Sequence, residues 1–517
     1  MKRINAKQAA ALIKDRDTLF LGGFAGCGIC ESVIEALRER FLATGQPRDL
    51  KLFKIATLGI HNERGAGRLF EQPGMVRELF SSNNGAEPTT QRAVAENRLL
   101  AYLVPMGTAC AMLTNIAAQR PGFITKTGLG TIADPAFGGS KANAVTEEQG
   151  DDIVSAVTIE GEDYLYYKTF PIHVSLIKAS AADEDGNLFF DDEPVKVNVF
   201  DAAAAAHNSG GIVIAQADRL IPRESRCAHD AYVPASLVDY VVVEKGEQIL
   251  SFPDKPEYVG KAYSRSEASR ITVPLNERKV CARRALLSLP ADQPINIGVG
   301  MPEYLAAVLQ EEGLAERYPL TVESGIFGGT SLQKAGFGAA VNPSSLVRIS
   351  DMFNLYNGGY LKAAVLGAAQ IDAQGNVNVT GFGKKRTGPG GFIDITQFTQ
   401  RVLFLCSFTA SGLETEIGDG RFAVRREGRN RKFVRQPDQI SFSAALARQN
   451  GKQVLYITER AVFEMTDTGI RLVELAPGAE LERDVLAHMD FVPEIAAELK
   501  PMDERLFRQE AMGMGAN

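Results

Sequence analysis

One folding plan is written twice along this 517-residue chain. Asn5 is a helix-capping type, and Ala9, Ala10, Leu12 and Ile13 follow at helical spacing, which predicts a helix to about Lys14. Thr18-Leu19-Phe20-Leu21 reads as a short buried strand and Gly22 to Gly28 as a glycine turn. A helix then begins near Glu31, with Val33, Ile34, Leu37 and Phe41 on one face. The same order returns as a helix over 277–287, a strand at Ile295-Asn296-Ile297 and the turn Gly298-Val299-Gly300-Met301-Pro302. The next helix carries Leu305, Val308 and Leu309 and is closed by Gly313. A second echo pairs residues 177–187 with 366–376, each an apolar strand followed by a Gly-Asn turn, as in a hairpin. The fold class expected is α/β: two similar open halves, each a sheet covered by helices, spanning 1–270 and 271–517. The join falls in the polar segment 255–276.

The second half also carries Leu320-Thr321-Val322-Glu323-Ser324-Gly325-Ile326-Phe327-Gly328-Gly329. An apolar run ends at Val322, and Glu323 sits where that strand stops. A carboxylate there is costly to bury without partners or a chemical task. Ligands of open α/β sheets sit beyond the carboxyl ends of strands. From these residues alone Glu323 is a nucleophile, a base, or a structural carboxylate capping turn N–H groups. The 49 glycines cluster at presumed strand ends, which favours one ligand cleft built from several loops. The alanine-rich block from Asp201 to Asn208 reads as a tightly packed core helix.

Composition removes several classes. A hydrophobic content of 45% and a charged content of 23% are those of an ordinary globular protein. A net charge of −7 with no long basic run argues against nucleic acid and anionic membranes as partners. No window approaches the ~18 apolar residues of a membrane span. The first residues lack the apolar core of a secretory signal, so a cytoplasmic location is expected. Cys27-Gly28-Ile29-Cys30 matches C-x-x-C, but no second pair completes a zinc site, and small packing residues are the simpler reading. The five histidines form no metal motif, and neither a G-x-S-x-G elbow nor a Walker A sequence is present. Gly298-Val299-Gly300 lacks the third glycine of the dinucleotide fingerprint. No metal is expected. A carboxylate in a glycine-lined cleft survives this elimination.

Glu323-Ser324-Gly325-Ile326-Phe327-Gly328 resembles the E-x-G-x-x-G active-site motif of the class I CoA-transferases. Gly22-Gly23-Phe24 with Gly28 resembles their first-half glycine signature, and Asn296 to Pro302 their N-x-G-x-G-x-P loop. Gly388-Pro389-Gly390-Gly391-Phe392-Ile393-Asp394 resembles their G-x-G-G-x-x-D segment. Order and spacing agree across nearly the whole chain, closest to the single-chain short-chain acyl-CoA:acetate or propionate type. The resemblance implies a ping-pong exchange in which Glu323 becomes a glutamyl-CoA thioester. It implies no resident cofactor, only CoA or acyl-CoA as a substrate attached during turnover. It also implies a homo-oligomer, a dimer or tetramer, acting on acyl-CoA and short carboxylic acids, with the active-site cleft between the halves.

Carried over residue by residue, Gly390 or Gly391 supplies a backbone oxyanion donor. CoA contacts fall on Gly23, Gly26, Gly28, Asn296, Gly298, Gly300, Gly325, Gly328 and Gly388. The family's P-Q-G side-chain amide is absent, because this chain reads Pro105-Met106-Gly107, leaving the Gly107 N–H as a possible substitute. Lys384 and Lys385 are phosphate candidates, whereas the arginine-rich stretch 421–435 reads as a solvated hairpin. Two alternatives stand beside transfer: an acyl-CoA hydrolase on the same scaffold, and a non-catalytic small-molecule sensor.

Overall fold

The computed structural model describes residues 1–61, 64–225, 227–245, 255–264, 273–332 and 336–515. The chain divides into two compact units, and both are discontinuous in sequence. The first comprises Met1–Ser264, Val322–Asn354 and Gly381–Asp394; the second comprises Arg265–Thr321, Leu355–Thr380 and Ile395–Asn517. The expected boundary at 270/271 lies outside the described residues.

The first unit is built on a sheet whose main path runs Lys2–Ile4, Tyr240–Val243, Ile212–Ile221, Val174–Asp183, Thr18–Leu21, Leu50–Phe53, Val76–Ser81 and Leu100–Leu103. Every pairing along that path is parallel. Parallel sheets need cover on both faces, which explains why these strands are nearly continuous apolar runs. Ala6–Leu12 is capped as its sequence requires, with the Gln8 N–H on Asn5 Oδ1 at 2.8 Å and the Asn5 N–H on Gln8 Oε1 at 3.0 Å. Glu31–Thr44 ends on Gly45 in the left-handed region. Val33, Ile34 and Leu37 of that helix are buried against Leu19, Leu21 and Leu52 in one apolar core. The alanine-rich helix is Val199–Asn208, and it packs against Met106–Ala117. Thr18–Leu21 lies between Leu50–Phe53 and Val174–Asp183, so strand order reverses there. The Gly22–Gly28 turn leaves the carboxyl end of that strand, which is where such sheets bind ligands.

The second unit has parallel strands Leu320–Val322, Ile295–Ile297, Ala363–Gly367, Arg401–Leu405 and Gln453–Ile457 as neighbours. The sheet continues through antiparallel Ala461–Met465 and Ile470–Leu475 to Glu494–Pro501. Its core gathers Val280, Ala285 and Leu305 with Val365, Leu403 and Ile457. The chain passes from the second unit into the first inside Leu320–Val322.

The Gly-Asn echo is the same turn in atomic detail. Asp183 accepts from the Asn187 N–H at 2.9 Å and from Asn187 Nδ2 at 2.7 Å. Asp372 accepts from the Asn376 N–H at 2.9 Å and from Asn376 Nδ2 at 2.8 Å. Each asparagine then turns its Oδ1 to a distant backbone N–H, that of Ala235 or of Ala444, at 2.9 Å in both cases. The aspartate in each copy, rather than the asparagine alone, organises the turn.

Candidate active site

Glu323 follows the strand Leu320–Val322 directly, and the backbone closes at once behind it. The Gly325 N–H returns to the Val322 carbonyl at 3.0 Å. Gly325 has φ +106°, and a Cβ there would collide with the Val347 carbonyl, so only glycine fits this turn. Buried Ser324 donates from Oγ to the Gly338 carbonyl at 2.8 Å, fixing the residue after Glu323. Glu323 itself is partly exposed. Burial nevertheless raises its carboxyl above the usual carboxylate range, with its own backbone N–H working the other way. Among the described residues no lysine, arginine or histidine pairs with it. An unpaired, desolvated carboxylate at a strand end is a competent nucleophile.

The other loops of the first unit are tied together by hydrogen bonds between strand ends. The Gly22–Gly28 turn closes on itself, with the Phe24 N–H on Cys27 O at 3.0 Å and the Cys27 N–H on Phe24 O at 2.8 Å. Gly23 and Gly26 are buried, and Gly23 packs against Ile29 and Leu58, so their evident work is letting this loop fold tightly; Gly28 is less enclosed. The Phe24 ring faces Phe337 at 5.7 Å and seats against Gly338, whose carbonyl Ser324 holds. The Ala25 N–H reaches Thr57 O at 2.8 Å, Thr57 Oγ1 reaches Asn83 Oδ1 at 2.8 Å, and Asn83 Nδ2 reaches Gly388 O at 3.4 Å.

The segment from Gly388 to Asp394 is laid along the strand end of Val76–Ser81. Gly388 has φ +84°, and a side chain there would strike the Ser82 carbonyl. The Gly390 N–H donates to Ser82 O at 3.0 Å, and Gly390 O accepts from the Met106 N–H at 2.9 Å. The Gly107 N–H donates to buried Asp394 Oδ2 at 3.1 Å. The N–H groups of Gly107 and Gly390 are thus engaged within the protein, the first by the Asp394 carboxylate at a helix N-terminus and the second by the Ser82 carbonyl. The Gly391 N–H has no acceptor among the described residues.

In the second unit, buried Asn296 donates from Nδ2 to Thr321 O at 3.3 Å and to the Tyr356 hydroxyl at 3.4 Å, while its Oδ1 has no partner among the described residues. Asn296 thereby steadies the strand that leads into Glu323. Gly298 packs against Leu366, and Gly300 has open space about it. Lys384 and Lys385 are exposed at the hairpin Gly381–Phe382 with Lys385–Arg386. The arginine-rich stretch forms the hairpin Glu414–Gly418 with Arg421–Arg426, where Arg425 pairs with Glu416 and Arg426 with Glu414.

Residues 3–244 match the Coenzyme A transferase family model. The chain is 39% identical to the caffeate CoA-transferase of Acetobacterium woodii over 523 residues, covering 99% of this chain and 98% of that protein. It belongs to the coenzyme A transferase family. The acetate CoA-transferase YdiF of Escherichia coli strain K12 is 37% identical, over 99% of this chain and 96% of that one. A crystal structure of the acyl-CoA transferase YdiF of E. coli O157:H7, a thioester complex with CoA, superposes with a TM-score of 0.92 at 35% identity, covering 99% and 97% of the two chains. This coenzyme A transferase therefore has the α/β fold of that family.

Sequence reasoning missed Thr57, Asn83 and the task of Asp394. The run Ser81-Ser82-Asn83-Asn84-Gly85 follows an apolar strand, and the strand-end rule applied to Glu323 would have flagged it too. Cys30 stands at the start of Glu31–Thr44, but burial pushes its thiol up to about 12, the opposite of a redox thiolate. All six cysteines are free. Among the described residues no group of three or more His, Cys, Asp or Glu side chains gathers to hold a metal.

Proposed function

We propose that this chain moves CoA from a short-chain acyl-CoA to a free carboxylic acid such as acetate, through a thioester on Glu323. The observation that carries the reading is the Glu323 carboxyl itself, raised by burial, without a cationic partner among the described residues and held beyond a strand end by a turn that only glycine can make. Its carboxylate attacks the acyl carbonyl and expels CoA thiolate, leaving an acyl-glutamyl anhydride. The thiolate then attacks the glutamyl carbonyl, releasing the acid and forming glutamyl-CoA. An incoming acid reverses both steps and leaves as the new acyl-CoA. A thioester is present at each end, so the exchange is nearly neutral in energy and no nucleotide need be hydrolysed. The Gly391 N–H, without an acceptor among the described residues, is the backbone donor assigned to the oxyanion. CoA contacts are assigned to Gly28, Asn296, Gly298, Gly300, Gly325, Gly328 and Gly388 on their motifs, and the phosphates to Lys384 and Lys385.

Two relatives of nearly equal identity are named for acids as unlike as caffeate and acetate. Both acids therefore belong in the acceptor panel. A cytoplasmic homo-oligomer, dimer or tetramer, completes the proposal; six free cysteines suit a reducing compartment. No helix among the described residues is long and apolar enough to cross a membrane.

The test is intact-protein mass after mixing with acetyl-CoA, followed by borohydride reduction and peptide mapping. A CoA-sized adduct on the wild type, reduction at Glu323 and neither signal in Glu323→Ala are expected. No adduct with acetyl-, propionyl- or caffeoyl-CoA would overturn the proposal.

A further inference from the structure

Asn83 lies just beyond the strand Val76–Ser81, and its amide is held in one orientation. Oδ1 meets two donors, Thr57 Oγ1 at 2.8 Å and the Gly85 N–H at 2.7 Å. A backbone N–H can only donate, so the atom facing it is the amide oxygen and the other is the NH2. That nitrogen carries two hydrogens and, among the described residues, makes one long bond, to Gly388 O at 3.4 Å. It also stands 3.6 Å from the point a Cβ would occupy on Gly390, and Met106 Cε stands 3.9 Å from that same point. Gly391, next in sequence, has its N–H unengaged among the described residues. The backbone of Asn83 is anchored as well, since fully buried Lys54 donates to Asn83 O at 2.8 Å, to Ala56 O at 3.1 Å and to Glu87 Oε1 at 2.8 Å.

An asparagine whose only task is a turn uses its oxygen, and aspartate would serve equally. Here the turn consumes the oxygen and leaves an N–H to spare, beside the glycine loop and beside a methionine at the position where the family motif carries an amide. We infer that the Asn83 side-chain NH2 is the second oxyanion donor of this enzyme, acting with the Gly391 N–H. The inference rests on the transfer chemistry proposed above and adds a catalytic residue to it. As a Glu323 oxygen bonds to the thioester carbon, the carbonyl π pair moves onto oxygen. Asn83 and Gly391 share that negative charge. When the carbonyl re-forms, the C–S pair leaves with sulfur as CoA thiolate, and no proton has to move.

The experiment times formation of the Glu323–CoA adduct by rapid quench and mass for the wild type, Asn83→Asp, Asn83→Asp with Met106→Gln, and Thr57→Val. Asn83→Asp keeps the acceptor for Thr57 and Gly85, replaces the donor by a carboxylate oxygen and adds a negative charge beside the loop. It should slow adduct formation by at least ~10²–10³-fold, the cost of one lost oxyanion donor. Met106→Gln added to it should recover at least about tenfold by returning an amide to the loop. Thr57→Val removes one of the two donors that fix Oδ1 and leaves the Gly85 N–H, so its rate should fall between wild type and Asn83→Asp. An Asn83→Asp rate within about threefold of wild type, or slowing that Met106→Gln does not relieve, overturns the inference. If Asn83→Asp fails to fold, Asn83→Ala takes its place, and a rate within about threefold of wild type there overturns the inference. Absence of any adduct on the wild type instead overturns the transfer reading, and this inference with it.

Discussion

The Gly107 N–H donates to Asp394 Oδ2 at 3.1 Å, and the Asp394 carboxyl occupies the space that a Cβ on Gly107 would need. These residues are 287 positions apart in sequence. Their bond fastens the N-terminus of Met106–Ala117 to the glycine segment that carries Gly391. A carboxylate on helix N–H groups is a charge-assisted contact favoured by the helix dipole. Gly107→Ala must displace that carboxylate, and overpacking of this kind costs ~1–3 kcal/mol. Asp394→Asn keeps the shape and loses the charge, for ~1–2 kcal/mol. Thermal melts check both, and an alanine variant as stable as wild type would contradict the close approach.

Glu323 sets activity against stability. Burial raises its pKa, so the folded protein holds that proton more tightly than the unfolded chain does. The contribution favours folding below the ordinary carboxylate range and is lost as pH rises through the raised value. At neutral pH the charged side chain costs stability, and Glu323→Gln should melt at or above wild type while forming no CoA adduct. The difference should close as pH falls. In the wild type the adduct-forming rate should decline on the acid side at a pH above the ordinary glutamate value of ~4.3, because only the carboxylate attacks.

Thiol reactivity separates the cysteines cleanly. Cys227 is exposed, whereas Cys27, Cys30, Cys110, Cys281 and Cys406 are buried. Burial pushes Cys30 up to about 12 and Cys406 up to about 11, and drives Cys110 and Cys281 well above the free thiol. A chromogenic disulfide reagent should titrate one thiol quickly in the native protein and the rest only after denaturation. Cys227→Ser should abolish the fast phase and leave transfer unchanged. A fast phase that survives this substitution would mean that the C-x-x-C loop opens.

Lys384 and Lys385 are exposed cations on a short hairpin. Replacing both by alanine should raise KM for acyl-CoA a few-fold, the scale of exposed charge contacts, and leave kcat and the KM for acetate alone. The effect should fade as ionic strength rises. Steady-state kinetics at two salt concentrations decide it.

What could be read from sequence was what short stretches of chain determine by themselves. Thr18–Leu21 and Ile295–Ile297 stand as their apolar runs predicted, and Glu277–Leu286 begins at the Asn276 cap. The paired turns at Asp183 and Asp372 were visible because each is closed within five residues. Glu323 stood out as a candidate because a carboxylate among glycines is unusual chemistry. The rest depended on contacts that only folding creates. Asn83 meets Gly388 across 305 residues, and nothing near either one announces the other. The bond of the Gly390 N–H to the Ser82 carbonyl was equally out of reach of the local sequence.

The strand Leu320–Val322 carries the chain across the division between the two compact units, so Thr321 and Glu323 are counted in different bodies. Val322–Asn354 and Gly381–Asp394 are in effect loans from the second half of the gene to the body made by the first half. Cutting the gene near codon 270 would give an N-terminal product missing Glu323, Gly391 and the Asp394 cap. Such a product could mature only by recruiting the other fragment. Covalent continuity thus supplies, in one translation event and at fixed one-to-one dosage, what separate polypeptides would have to achieve by finding each other.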